Sequence, residues 1–194
     1  MRHLADLRNK ANLVYSKDQV AQALDNMAKQ ITNDLYDKTP IMLCVVNGGI
    51  YLMGQLMFRL DFPMEIDYVH ASRYGSNLQG SKLNWYSKPK TAIAGRHIAI
   101  VDDVLDSGIT LKEIENWCFE NGALSVYNIV LIDKKPCRAD TGIEKADCHG
   151  LITEDDYLFG CGLDVKGFYR NIPEIYAVPK GLIPDVDAYL PSGY

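Results

Sequence analysis

IAIVDDVLDSGITL, residues 98 to 111, is the stretch on which the fold turns. Ile98 to Val101 is an apolar run of the kind found in a parallel strand buried on both faces. Asp102 and Asp103 follow at its carboxyl end, where open α/β sheets bind ligands. A third carboxylate, Asp106, precedes Ser107-Gly108-Ile109-Thr110, which opens a helix. Gly108 lets the backbone approach an anion closely, and Ser107 and Thr110 supply hydroxyls. A helix beginning near Ile109 aims free N–H groups and its positive dipole end at the same anion. Each part suits a sugar phosphate. Two other readings fit parts of the stretch. IVDD also opens receiver domains, but there the strand starts the domain, whereas here 97 residues precede it. Paired aspartates at a strand end also serve as a solvated turn and helix cap.

The flanking sequence alternates strand and helix. Asp18 to Leu35 places Val20, Ala23, Leu24, Met27, Ala28 and Ile31 at helical spacing. Ile41 to Val46 is a continuous apolar strand, Asn47-Gly48-Gly49 a turn, and Ile50 to Leu60 a helix. Ile66 to His70 and Ser125 to Ile132 are further strands, and the helix after Thr110 stops at Asn121-Gly122, a left-handed terminator. Four strand–helix signals predict an α/β parallel twisted sheet flanked by helices. Ser72 to Thr91 is a long polar connection, of the length that in compact domains marks a functional or mobile loop. After Pro136 the chain becomes irregular, with short strand candidates at Tyr157 to Gly160 and Ile175 to Pro179. The expectation is one domain over residues 1–194, with a small cap from the N-terminal segment and roughly 137–194.

Composition fits a globular enzyme: 47% hydrophobic and 23% charged residues, with a net charge of −5. That balance exerts no general pull toward nucleic acid or an anionic membrane. A ligand rich in phosphate would need local compensation by metal, Lys, Arg or helix ends. The five cysteines are odd in number and show no CxxC spacing, which fits a reducing cytoplasm rather than a disulfide framework. Cys148-His149 has no second pair at zinc spacing. The N-terminus MRHLADLRNKAN is too polar for a signal peptide, and no apolar run is long enough to span a membrane. Gly160-Cys-Gly162 begins like a dinucleotide fingerprint but has Val165 where the third glycine belongs, no GxxxxGK[ST] occurs, and the four histidines form no HExxH.

With these residues in hand, residues 98–111 resemble the sugar-diphosphate signature of the type I phosphoribosyltransferases. From about Ile41 to Pro179 the chain is similar to the hypoxanthine-guanine branch of that family. The resemblance implies a Mg²⁺-dependent transfer of a 5-phosphoribosyl group from phosphoribosyl pyrophosphate to N9 of hypoxanthine or guanine. It implies that Asp102 and Asp103 bind ribose hydroxyls and, with Asp164, the metal environment. Asp106 takes or holds the purine proton, and Ser107, Gly108, Ile109 and Thr110 cradle the 5′-phosphate. Asn47, Gly48 and Arg170 meet pyrophosphate. The loop at Asn47-Gly48-Gly49 has a strained, often cis, peptide in this family, and many members carry Lys or Arg where this chain has Asn47. Arg73 and Tyr74 match the start of a mobile loop that excludes water, with Arg73 where Ser is usual.

For the base, the resemblance puts Lys134 against the purine 6-oxygen, with Lys135 as rival. Tyr157 stacks on the ring, Leu158 offers backbone groups to its edge, and the main chain of Asp164 lies near C2. An ammonium only donates, so it selects a 6-oxo purine over a 6-amino one. The implied assembly is a homodimer or homotetramer. A xanthine-preferring transferase stays open, because the C2 contact is largely main chain. A regulatory RNA-binding protein on the same fold would need a basic face, which the −5 charge disfavours.

Overall fold

The computed structural model describes residues 2–72, 83–135 and 138–183. Thirteen elements run in the order α1 (Arg2–Lys10), β1 (Asn12–Tyr15), α2 (Lys17–Leu35), β2 (Ile41–Val46), α3 (Ile50–Met57), β3 (Glu65–Ser72), β4 (Asn84–Ser87), β5 (His97–Leu105), α4 (Ile109–Glu120), β6 (Ser125–Lys134), β7 (Cys148–Thr153), β8 (Tyr157–Phe159) and β9 (Ile175–Val178). Six strands form the main sheet in the order β4-β3-β2-β5-β6-β7. All neighbours are parallel except β3 and β4. A separate antiparallel sheet, β1-β9-β8, joins the N-terminal segment to the C-terminal part of the chain.

The apolar runs are continuous because both faces of the main sheet are covered. In β2, Met42 and Cys44 enter one core while Ile41, Leu43 and Val45 enter the other. In β5, Ala99 and Val101 join the first and Ile98 and Ile100 the second. The first core is closed by Leu24, Met27 and Ile31 of α2 and Leu52 and Leu56 of α3; the second by Leu111, Ile114 and Cys118 of α4. The opposite placement of α3 and α4 follows from right-handed crossovers running outward in opposite directions from β2 and β5. Ser16 starts α2 with a capping box: its Oγ accepts from Gln19 N at 3.3 Å, and its N donates to Gln19 Oε1 at 2.9 Å. Gly122, at φ 87°, ends α4.

Three features depart from the sequence expectation. β5 does not stop at Val101 but runs through both aspartates to Leu105, because its ladder with β6 continues to Leu105↔Asp133. Within the connection read as a polar loop, Asn84–Ser87 returns as an antiparallel edge strand on β3. In the tail read as irregular, Cys148–Thr153 adds a parallel edge strand to β6. No helix among the described residues is long and apolar enough to cross a membrane.

Candidate active site

The order β3-β2-β5-β6 makes β2 and β5 the topological switch point, where an open α/β sheet parts into a crevice beyond its carboxyl ends. β2 pairs with β5 only as far as Cys44↔Val101. Beyond it the chain turns through a cis Val46–Asn47 peptide, the geometry expected for this loop. The two strand ends separate around a floor made of backbone. A Cβ on Gly48 would lie 2.2 Å from Asp103 Oδ2, and one on Gly162 would lie 2.4 Å from Gly48 O. Side chains at either position would close the crevice.

Three cavities adjoin here, and Asp103 lines all of them. The first, about 580 Å³, lies between the turn after β2 and the β8–β9 connection, with Asn47, Gly48, Asp102, Thr110, Asp164 and Arg170 on its walls. The second, about 220 Å³, is bounded by Asp102 to Gly108 with Thr110 and Leu111. The third, about 190 Å³, is bounded by Val104, Asp106, Lys134, Tyr157, Leu158 and Asp164, among others.

Asp102 is buried and Asp103 nearly so. Desolvation, then the charge of Asp103, holds Asp102 well above the ordinary carboxylate range. Asp103 is raised as well, chiefly by desolvation, against the lowering pull of Arg170. The Arg170 guanidinium lies 3.6 Å from Asp103 Oδ2 and 2.5 Å from Asp164 Oδ1, and it donates to Gly162 O at 2.5 Å. Two carboxylates crowded together out of water are a natural seat for a cation. Among the described residues, however, no three His, Cys, Asp or Glu side chains are grouped to hold a metal by themselves. The donor set fits an ion that keeps several waters and takes its remaining oxygens from a ligand, the habit of Mg²⁺.

The second cavity wraps the start of α4. Gly108 sits at φ 78°, where a Cβ would lie 2.5 Å from Ile143 O. Its conformation frees the first turn of α4 to face the cavity, and Ile143 N donates to Gly108 O at 3.1 Å. Arg138 secures the same loop. It donates to Leu105 O at 3.0 Å, Asp106 O at 2.6 Å, Lys134 O at 2.9 Å and Glu144 O at 2.9 Å, and it pairs with the buried carboxylate of Asp133.

In the third cavity the Lys134 ammonium lies 3.3 Å from Asp106 Oδ2 and 3.1 Å from Asp155 Oδ1. Burial alone would pull Lys134 down, but those carboxylates outweigh it and hold it above its ordinary value. Lys135 is exposed, and its N donates to Thr153 O at 2.9 Å. Of the two lysines, Lys134 is the one in the cavity.

The crevice thus gathers Asn47, Gly48, Asp102, Asp103, Asp106, Ser107, Gly108, Thr110, Lys134, Tyr157, Leu158, Asp164 and Arg170. Ile109 opens α4 but is not among the residues lining these cavities. Arg73 and Tyr74 lie outside the described residues. Residues on or behind the walls that the sequence does not mark include His70, Tyr86, Lys166 and Arg138. Tyr86 reaches the cavity because β4 pairs with β3, and its ring lies 4.8 Å from that of His70.

Residues 12–165 match the phosphoribosyl transferase domain family. The chain is 30% identical over 163 residues to a hypoxanthine-guanine-xanthine phosphoribosyltransferase of Tritrichomonas foetus, covering 84% of this chain and 88% of that one. It is 32% identical over 164 residues to a hypoxanthine-guanine phosphoribosyltransferase of Streptococcus pneumoniae, covering 84% and 90%. A solved hypoxanthine-guanine-xanthine phosphoribosyltransferase superimposes with a TM-score of 0.79 at 28% identity, over 89% of this chain and 99% of that one. The crevice at the β2/β5 switch point and the match over most of the chain agree: this protein belongs to the phosphoribosyltransferase family.

Proposed function

We propose that this enzyme salvages 6-oxo purines, transferring the 5-phosphoribosyl group of phosphoribosyl pyrophosphate to N9 of hypoxanthine or guanine and releasing pyrophosphate. The observation that carries the reading is the meeting of three cavities at Asp103. The sugar substrate and the base together have three bulky parts around one ribose. Pyrophosphate goes to the first cavity, beside Asn47, Gly48 and Arg170. The 5′-phosphate goes to the second, against Ser107, Gly108, Thr110 and the amino end of α4. The purine goes to the third. Asp102 and Asp103 then lie under the ribose, where carboxylates accept hydrogen bonds from its hydroxyls.

Lys134 and Asp106 present a donor and an acceptor side by side. That pair matches a purine edge carrying the 6-oxygen as acceptor and an N7 proton as donor. Tyr157 stacks on the ring, and Leu158 and Asp164 offer main chain to its far edge. As the C1′–oxygen bond to pyrophosphate breaks and N9 forms the new bond, the base loses a proton. Asp106 accepts that proton, or holds it at N7 while charge shifts to the base. Asp102, Asp103 and Asp164, together with substrate oxygens and water, would hold Mg²⁺, which would supply charge neutralisation for the leaving pyrophosphate.

Asp106→Asn tests this reading with hypoxanthine, phosphoribosyl pyrophosphate and Mg²⁺. The wild type should form inosine monophosphate and pyrophosphate in equal amounts. The variant should lose about 10²–10⁴ in kcat, the usual worth of an acid–base group, with KM for the sugar substrate little changed. A wild type that makes no nucleotide sinks the reading; a variant with normal kcat removes Asp106 from the chemistry.

A further inference from the structure

One wall of the first cavity carries polar side chains that the transfer step does not use. Asn47 and Gly48 bound the cavity at the end of β2, and Asp102, Asp103 and Thr110 bound it at β5 and α4. The wall given by β3 and β4 consists of His70, Ala71 and Tyr86. Its polar groups are therefore an imidazole and a phenol, both able to donate hydrogen bonds.

The backbone places both rings there. His70 pairs with Val46, the last residue of β2, and so stands beside the Asn47-Gly48 turn. Its neighbours Val69 and Ala71 enter the second core, and strand alternation turns the half-buried His70 to the other face. Tyr86 arrives through a break in register. The β3–β4 ladder pairs His70 with Ser87 but Ala71 with Trp85, which leaves Tyr86 as the extra residue of a β-bulge. Bulges re-aim a side chain and are frequent beside active sites. This one brings the Tyr86 ring to 4.8 Å from the His70 ring, tilted by 37°. Tyr86 remains 60% exposed, so the contact does little for the core; what it fixes is the direction of the imidazole.

We propose that His70 binds the pyrophosphate group of the sugar substrate and of the product, with Tyr86 as the residue that positions it. The role rests on the transferase reading above. A ring N–H of His70 donates to a phosphate oxygen, and imidazole keeps such a donor in either protonation state.

The experiment uses the full-length enzyme, with inorganic pyrophosphate and Mg²⁺ as probe in calorimetry and with steady-state kinetics alongside. His70→Leu keeps the bulk of the side chain and removes the donor. It should weaken pyrophosphate binding about 10-fold and raise KM for phosphoribosyl pyrophosphate by a similar factor, the scale of one hydrogen bond to a charged group. KM for hypoxanthine should not change. His70→Gln, which puts an amide N–H in place of the ring donor, should recover most of the affinity. Tyr86→Phe keeps the ring contact and should match the wild type, whereas Tyr86→Ala should reproduce part of the His70→Leu loss. Unchanged pyrophosphate affinity in His70→Leu overturns the proposal. So does a parallel rise in both KM values, which would mean that His70 shapes the crevice as a whole, and so does a His70→Gln variant as weak as His70→Leu. A wild type that makes no nucleotide overturns the transferase reading; a wild type that makes it, with His70→Leu unaltered, overturns this proposal alone.

Discussion

Replacing Lys134 separates base recognition from structure. Its side chain is only 11% exposed, yet its two partners, Asp106 and Asp155, are 52% and 69% exposed. Water screens both ion pairs, so each contributes about 0–1 kcal/mol to folding. Lys134→Met keeps most of the apolar stem and leaves two carboxylates that water can solvate. Its folding cost should therefore stay below about 2 kcal/mol, read from urea unfolding. Against a bound purine the balance should differ, because a base seated against the ammonium would displace the water that screens it. A hydrogen bond to a charged group is worth about 1.5–3 kcal/mol, or roughly 10- to 150-fold in kcat/KM. Lys134→Met should lose that much on hypoxanthine and guanine while KM for phosphoribosyl pyrophosphate barely moves. A uniform loss on both substrates would refute the reasoning. So would the same selective loss from Lys135→Met, since Lys135 is exposed.

Arg138→Ala leaves the Asp133 carboxylate, 4% exposed, without its partner and frees the carbonyls of Leu105, Asp106 and Lys134. It should destabilise the protein by about 3–5 kcal/mol in urea, and a loss below about 1 kcal/mol would show that the hub is not structural. Burial alone would raise Asp67, but hydrogen bonds from Thr91, Tyr68 and Lys90 outweigh it and hold it below the ordinary carboxylate value. A depressed folded value stabilises above the unfolded one and is lost as pH falls through it. The stability gap between wild type and Asp67→Asn should therefore shrink below about pH 4, and a gap that widens in acid would contradict the assignment. Excess EDTA should abolish turnover and Mg²⁺ restore it; full activity in metal-free buffer would remove the ion from the leaving-group chemistry.

The central strands were legible because they are buried on both faces. Ile41 to Val45 and Ile98 to Val101 have no polar side to show, so they read as runs that only a covered parallel sheet explains. Edge strands carry no such signal. β4, Asn-Trp-Tyr-Ser, alternates exposed and half-buried positions over four residues, and β7 contains a glycine and an exposed histidine. Each exists because a neighbour offers it a ladder. The site divides in the same way. Asp102 to Thr110 is contiguous, so its chemistry could be read in one window. The choice between Lys134 and Lys135 depends on where β6 ends, and a single step of register turns one side chain into the cavity and the other out. Arg138 was not legible, since its acceptors come from the ends of two strands and from Glu144, and nothing local marks an arginine as their shared donor.

The central claim is that a phosphoribosyl transferase crevice here is matched to a 6-oxo purine. The direct measurement is nucleotide formation from hypoxanthine, guanine, xanthine and adenine, each with phosphoribosyl pyrophosphate and Mg²⁺. Adenine sets an amino donor against Lys134 and offers it no acceptor at the purine 6-position, forgoing a charge-assisted hydrogen bond worth about 1.5–3 kcal/mol. Hypoxanthine and guanine should be converted to their monophosphates, adenine should give negligible product, and the xanthine rate should rank the far edge of the pocket. Adenine used as well as hypoxanthine would contradict the account.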